Sequence, residues 1–142
     1  LLPSMTRNKD GCIVFISSVA SIYGIPCYST YSASKIALHS LSQNINAEFT
    51  SKGICALHIS PDYTESEFFR NEKITGGAYY HSENYKSVEK TVRKIIQKII
   101  HQKTEPVLSF RGKMLRVFTA LFPHWIQYYF SKSASRLIFK TY

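Results

Sequence analysis

Paired cysteines, metal-ligand spacings, long apolar runs and acidic residues are all scarce in this chain, and each absence removes a class of function. The three cysteines, Cys12, Cys27 and Cys55, form no CxxC pair, which argues against a zinc ribbon or a disulfide framework. Cys12 and Cys55 adjoin apolar runs, where a reduced, buried thiol behaves as a small hydrophobe, so a reducing, cytoplasmic setting is expected. The five His are scattered without ligand spacing, and no metal is expected. No apolar run approaches the ~18 residues that a membrane span needs. The opening LLPSMTRNKD has neither the charged n-region nor the apolar core of a signal peptide. Carboxylates are few, with 9 Asp+Glu against 18 Lys+Arg for a net charge of +9. Such an excess suits nucleic acid, an anionic membrane surface or acidic ligands. The bases are spread through helical segments and the tail, with no Arg-rich run or aromatic RNA-binding signature, so nucleic acid is not an expected partner.

What is present suffices for one domain with a real core: 142 residues, 44% of them hydrophobic. The chain opens on Leu and reaches a strand-like run after eleven residues, and the expectation is a fragment or a processed chain. Leu1 to Asp10 reads as the end of a helix and a polar turn. Cys12 to Ile16 (CIVFI) is a short β-branched run between Gly and Ser, the pattern of a strand buried on both faces in a parallel sheet. Val19 to Thr30 reads as a loop. Tyr31 to Ser51 reads as a long helix capped by Ser29 or Thr30, with apolar residues at Ala37, Leu38, Leu41, Ile45 and Phe49 and Gly53 beyond its end. Ile54 to Ile59 is a second buried strand, so strand, helix and strand make a right-handed parallel crossover.

Pro61 to Lys86 has no period and is too long for an idle connection, which suggests a substrate loop with a hinge at Gly76-Gly77. Ser87 to Gln102 is amphipathic, with Val88, Val92, Ile95, Ile96 and Ile99 expected to face inward. Pro106 to Phe110 reads as a third short strand. Lys113 to Tyr142 reads as helical with a break near Pro123.

The chemistry concentrates between Gly11 and Lys35. Tyr31 and Lys35 are four residues apart and share a helix face. A Tyr hydroxyl with its usual pKa of ~10 exchanges protons poorly near neutrality, and a neighbouring ammonium favours its phenolate. The pair is thus a candidate general acid/base, worth about 10²–10⁴ in rate. Ser18 ends the preceding strand, at the carboxyl edge where parallel sheets bind ligands. A hydroxyl there can donate to a carbonyl oxygen that gains charge during hydride transfer. The YxxxK spacing alone carries little weight, since about one chance match is expected in a chain this rich in Tyr and Lys. Tyr128 and Lys132 are a second match, but Leu115 stands where the serine would be and no buried strand precedes them.

With strand, Ser18 and YSASK in this order, the chain resembles the C-terminal half of the short-chain dehydrogenase/reductase family, clearly over about Leu1 to Phe110 and more loosely in the tail. The resemblance implies an α/β fold: the C-terminal portion of a Rossmann-like, doubly wound parallel sheet, with an appended amphipathic helical tail. Residues 1–111 would be the catalytic segment and substrate loop, and residues 112–142 the tail. It also implies that Tyr31 exchanges the proton, that Lys35 hydrogen-bonds the nicotinamide ribose and lowers the tyrosine pKa, and that Ser18 orients the substrate oxygen. Ser60 to Ser66 (SPDYTES) stands where the family has Pro-Gly and then Thr at the nicotinamide end of the cofactor. Pro61, Asp62 and either Thr64 or Ser66 would bind there beside Tyr31 and Lys35. Asp62 replaces the Gly, a weakening if that position needs positive φ, although Asp tolerates such angles better than most residues.

The family's Gly-rich pyrophosphate turn, its NAD/NADP selector and its catalytic Asn do not occur in these 142 residues. The expectation is therefore an NAD(P)-dependent oxidoreductase, NADP favoured over NAD, acting on a lipophilic ketone or secondary alcohol such as a 3-oxoacyl group. The isolated chain is expected not to turn over. The competing readings are a truncated, non-enzymatic homologue that binds or dimerises, and a basic membrane-surface module worked by the tail. The tail itself reads as a core helix closing the substrate pocket, as an interfacial helix on an anionic membrane, or as a dimer contact. In the family the Tyr31 helix also packs against another subunit, so a homodimer or tetramer is expected of the complete protein.

Overall fold

The computed structural model describes residues 1–26, 28–65, 85–101 and 105–138, without the side chains of 136–138. Helix α1 (Leu2–Asn8) carries Pro3 in its first turn, where a missing N–H costs nothing, and ends on Lys9 in a left-handed conformation at φ 54°. Strand β1 (Gly11–Ile16) follows, then a 3₁₀ turn (Val19–Ser21) and helix α2 (Ser29–Phe49). A second 3₁₀ turn (Thr50–Lys52) leads into β2 (Ile54–Ile59), and then come α3 (Val88–Ile100), α4 (Phe110–Leu121) and α5 (Pro123–Ile138). β1 and β2 pair in parallel and in register, from Gly11 against Ile54 to Ile16 against Ile59. This is the βαβ crossover expected from the sequence, part of an α/β Rossmann-type sheet with a helical tail. Gly53, at φ 77°, closes the turn into β2; a Cβ there would lie 2.0 Å from the Lys9 carbonyl oxygen, so only glycine fits.

The core is centred on β2 and on the 3₁₀ turn after β1. Ile54, Ala56, Leu57, Ile59 and Ala20 are buried, with Ile45 of α2 above them. Asn46 serves as an extra strand edge: its side chain donates to the Ala56 carbonyl at 2.8 Å and accepts the Ala56 N–H at 2.7 Å. This satisfies backbone groups that burial would otherwise leave without water.

Several expectations are corrected. β1 is only half-buried, and Cys12 is exposed, because β2 is the only strand paired with β1 among the described residues. α2 begins two residues before Tyr31, and neither Ser29 nor Thr30 caps it. Ser32 ties down its start instead, accepting the Ile25 N–H at 3.0 Å. The third strand shrinks to one bridge, Ser60 to Val107, since Ser109 accepts the Gly112 N–H at 3.0 Å and turns the chain into α4 at once. α3 is rotated from its expected face. Thr91 is buried and Ile95 and Ile99 are half-buried, whereas Val88, Val92 and Ile96 are exposed; the buried Thr91 hydroxyl faces that of Thr64 at 3.3 Å, across from the segment that follows β2. The tail breaks at Phe122, beside Pro123 as expected, but α4 starts at Phe110 rather than Lys113. The expected hinge at Gly76-Gly77 lies outside the described residues.

Candidate active site

The parallel ladder continues past the ends of both strands. Ser17 N–H donates to Ile59 O at 2.8 Å and Val19 N–H to Pro61 O at 2.9 Å. Ser18 and the Pro61–Asp62 turn are thereby drawn together at the carboxyl edge of the sheet, where loops rather than strands close over a ligand. α2 is tied to the same edge, since the Ser17 hydroxyl donates to the Lys35 carbonyl at 3.4 Å. A cleft of about 460 Å³ results, and Ser18, Tyr31 and Lys35 all line it, with Pro61, Asp62 and Thr64. Its remaining wall is mainly apolar, from Val19, Ile25, Val88, Val92 and Ile95. Lys35 Nζ stands 5.5 Å from the centre of the Tyr31 ring.

Ser18 is extended and caps the 3₁₀ turn, its Oγ accepting the Ala20 N–H at 3.2 Å. That bond occupies a lone pair and leaves the hydroxyl hydrogen for another acceptor. Ser21 holds the Ser18 backbone from behind, donating to its carbonyl at 2.6 Å and meeting the buried Ser60 hydroxyl at 3.2 Å.

Asp62 is not in a left-handed conformation, because Lys9 is the only non-glycine residue with positive φ among those described. The anticipated backbone cost of replacing glycine does not arise. The Asp62 carboxylate accepts the Tyr63 N–H at 3.0 Å and pairs with Lys86 Nζ at 3.2 Å. Thr64 donates to Asp62 O at 2.9 Å and lies 3.3 Å from the Thr91 hydroxyl. A parallel bridge between Thr64 and Lys86 joins the two ends of the long loop. Ser66 lies outside the described residues. The side chains that are present fit the nicotinamide and ribose end of a dinucleotide: a cation, a phenol and hydroxyls converge on one cleft beside a backbone turn. No metal-binding group of three His, Cys, Asp or Glu occurs among the described residues.

Among the described residues, none of α4 or α5 lines this cleft. The sequence reading also missed a second polar cluster, behind α2. His39 Nε2 lies 3.2 Å from Glu105, which also binds Arg116 and accepts from Gln43 at 3.0 Å. The His58 ring is 4.6 Å from that of His39. Burial and the neighbouring His39 push the His58 pKa down to about 4, with Arg116 and Lys35 adding to the effect and Glu105 opposing it. Burial alone would raise the Glu105 pKa, but hydrogen bonds from Gln43, Arg116 and His39 take it below the usual carboxylate value. A histidine inside the apolar run ICALHI was the available signal for this cluster. Tyr28 and Tyr63 also line the cleft, and nothing in their spacing marked them.

Residues 1–75 match the family described as short chain dehydrogenase. "Dehydrogenase/reductase SDR family protein 7-like" of Drosophila melanogaster is 32% identical over 114 residues, 77% of this chain and 35% of that protein. "Very-long-chain 3-oxoacyl-CoA reductase" of Anas platyrhynchos is 36% identical over 73 residues, 51% of this chain and 23% of that protein. Among solved structures, a short-chain dehydrogenase of Burkholderia cenocepacia in complex with NADP superposes with a TM-score of 0.75 at 16% identity, over 91% of this chain and 50% of that one. This chain thus spans about a third of the length of the Drosophila relative. With the matched segment running through β1, Ser18, Tyr31, Lys35 and β2, the chain belongs to the short-chain dehydrogenase family.

Proposed function

We propose that this chain supplies the proton-transfer half of an NAD(P)-dependent oxidoreductase that interconverts a lipophilic ketone and its secondary alcohol. The observation that carries the reading is the single cleft shared by Ser18, Tyr31 and Lys35. The nicotinamide, when bound, supplies or accepts the hydride at the carbonyl carbon. The chain's own groups act at the oxygen. Ser18, with one lone pair taken by Ala20 N–H, donates its hydrogen to the substrate oxygen and holds it toward Tyr31. The Tyr31 hydroxyl delivers or takes the proton there, and the Lys35 ammonium stabilises negative charge on that side of the cleft. Lys35, Thr64 and the Pro61–Asp62 turn would hold the ribose and nicotinamide. The NADP bound in the Burkholderia structure favours NADP over NAD. The apolar wall of Val19, Ile25, Val88, Val92 and Ile95 suits an acyl chain better than a sugar, and the 3-oxoacyl-CoA reductase relative points the same way.

The test joins this chain behind the Gly-rich half of a full-length family member. The fusion is expected to reduce 3-oxoacyl substrates with NADPH, and Tyr31→Phe to lower kcat by about 10²–10⁴. The 142 residues alone are expected to give no turnover. A Tyr31→Phe fusion as active as its parent would contradict the reading.

A further inference from the structure

The outer face of the tail carries an unusual exposed surface. On α4, Phe110, Met114, Val117, Phe118 and Leu121 recur at helical spacing, and all are exposed, Phe110 at 78% and Leu121 at 65%. At 100° per residue, Arg111 and Lys113 fall on either side of this stripe. The opposite side is the packed one, with Gly112 buried where a Cβ would come within 2.6 Å of Val107 and 3.0 Å of Val19. The apolar surface continues through Phe122, whose ring lies 6.0 Å from that of Phe118. On α5 it reaches Trp125, Tyr128 and Tyr129, exposed at 59%, 63% and 58%. Buried Ile126, and Phe130 stacked 4.9 Å from Tyr23, fix the inner side of α5. Both helices are therefore anchored on one side, and Phe110, Phe118, Phe122, Trp125, Tyr128 and Tyr129 lie on the exposed side.

The charge pattern selects what covers this face. From Pro106 to Tyr142 there is no Asp or Glu, while Arg111, Lys113, Arg116, Lys132, Arg136 and Lys140 are all basic. Two copies of the face brought together would oppose like charges with no carboxylate between them. A layer of anionic lipid headgroups over an apolar interior complements both features at once: Phe, Leu and Val enter the acyl boundary, Trp and Tyr sit at headgroup depth, and Lys and Arg reach the phosphates. No helix among the described residues is long and apolar enough to cross a membrane, so the contact lies in the plane of the interface.

We infer that the outer face of α4 and α5 docks the chain on an anionic lipid bilayer. This inference does not depend on how the cleft is read. Trp125 is the only tryptophan of the chain, so its emission reports on this face alone. The 142-residue chain, verified as helical by circular dichroism, is titrated with vesicles of phosphatidylcholine, with and without phosphatidylserine. Docking predicts a blue shift and protection from aqueous quenchers with the phosphatidylserine vesicles, weakened by high salt and by Lys113→Glu/Lys132→Glu, and little change with phosphatidylcholine alone. The exposed pair Phe118→Ser/Leu121→Ser is expected to abolish flotation with the vesicles while leaving the circular dichroism unchanged. Unchanged Trp125 emission on phosphatidylserine vesicles would overturn the inference. So would a blue shift that follows protein concentration without lipid, which would make the occupant a second copy, or emission already blue-shifted in the dilute, lipid-free chain, which would mean the face is covered from within.

Discussion

The chain contains two Tyr-x-x-x-Lys helices, and their local geometry is nearly the same: Lys35 Nζ lies 5.5 Å from the Tyr31 ring and Lys132 Nζ 6.0 Å from the Tyr128 ring. Any helix places such a pair on one face, so the pair by itself is not a site. The first stands at the carboxyl edge of a parallel sheet, in a cleft shared with Ser18 and the Pro61–Asp62 turn. The second faces outward, Tyr128 being 63% exposed. Their support differs as well. α2 is held by polar bonds, from Ser17 at the end of β1 to Lys35 O, from Asn46 to Ala56 of β2, and between His39 and Glu105, whereas α5 is seated by apolar contacts at Ile126 and Phe130. The surrounding sheet, more than the motif, sets the Tyr31–Lys35 pair apart from the Tyr128–Lys132 pair.

Substitution of the two lysines should separate the sites most widely. In the fusion enzyme, Lys35→Ala is expected to lower kcat/KM by about 10²-fold or more, and Lys132→Ala to leave it within about twofold, as for a surface change far from the chemistry. Steady-state kinetics with NADPH and a 3-oxoacyl substrate reads the contrast, and equal losses would erase it.

A smaller effect tests how the tail is held against the edge that carries Ser18. Gly112→Leu forces a side chain into the contact with Val107 and Val19 and is expected to cost about 1–3 kcal/mol by overpacking. Urea unfolding of the 142-residue chain measures it. An unchanged midpoint would mean that α4 is not seated on the core as described.

The third test is the pH response of the cluster behind α2. The His58 pKa is pushed down to about 4 by burial and by His39, from about 6.5 in an unfolded chain. The unfolded state therefore binds its proton first as the solution is acidified. The stability attached to a neutral His58 is fully present above pH ~6.5 and is lost progressively as pH falls toward ~4. Glu105, also lowered, loses stability in the same direction at more acid pH. The urea midpoint is expected to fall between pH 7 and 4.5, and to fall less in His58→Gln. An equal fall in both chains would remove His58 from the account.

Much of this organisation was legible in the sequence. The βαβ crossover followed from two short β-branched runs separated by a helical period, and Ser18, Tyr31 and Lys35 followed from their order along it. What escaped depended on contacts between distant segments. The rotation of α3 is not encoded in local period and goes with Thr91 meeting Thr64 from the segment after β2; the shrinking of the third strand is the local exception, set by Ser109 capping α4. The harmlessness of Asp62 required its backbone angle, since residue type alone suggested strain. The Glu105 cluster joins side chains from α2, β2 and α4 that lie far apart in the chain, and only His58 announced it, as a polar residue within an apolar strand.

Ser18 and Tyr31 are proposed to act together on one substrate oxygen. A double-mutant cycle in the fusion enzyme tests it most directly. Groups that act as a unit give non-additive losses, so Ser18→Ala with Tyr31→Phe is expected to lower kcat about as much as Tyr31→Phe alone. Losses that multiply as independent factors would contradict a shared oxygen, and with it the assignment of this cleft as the reaction centre.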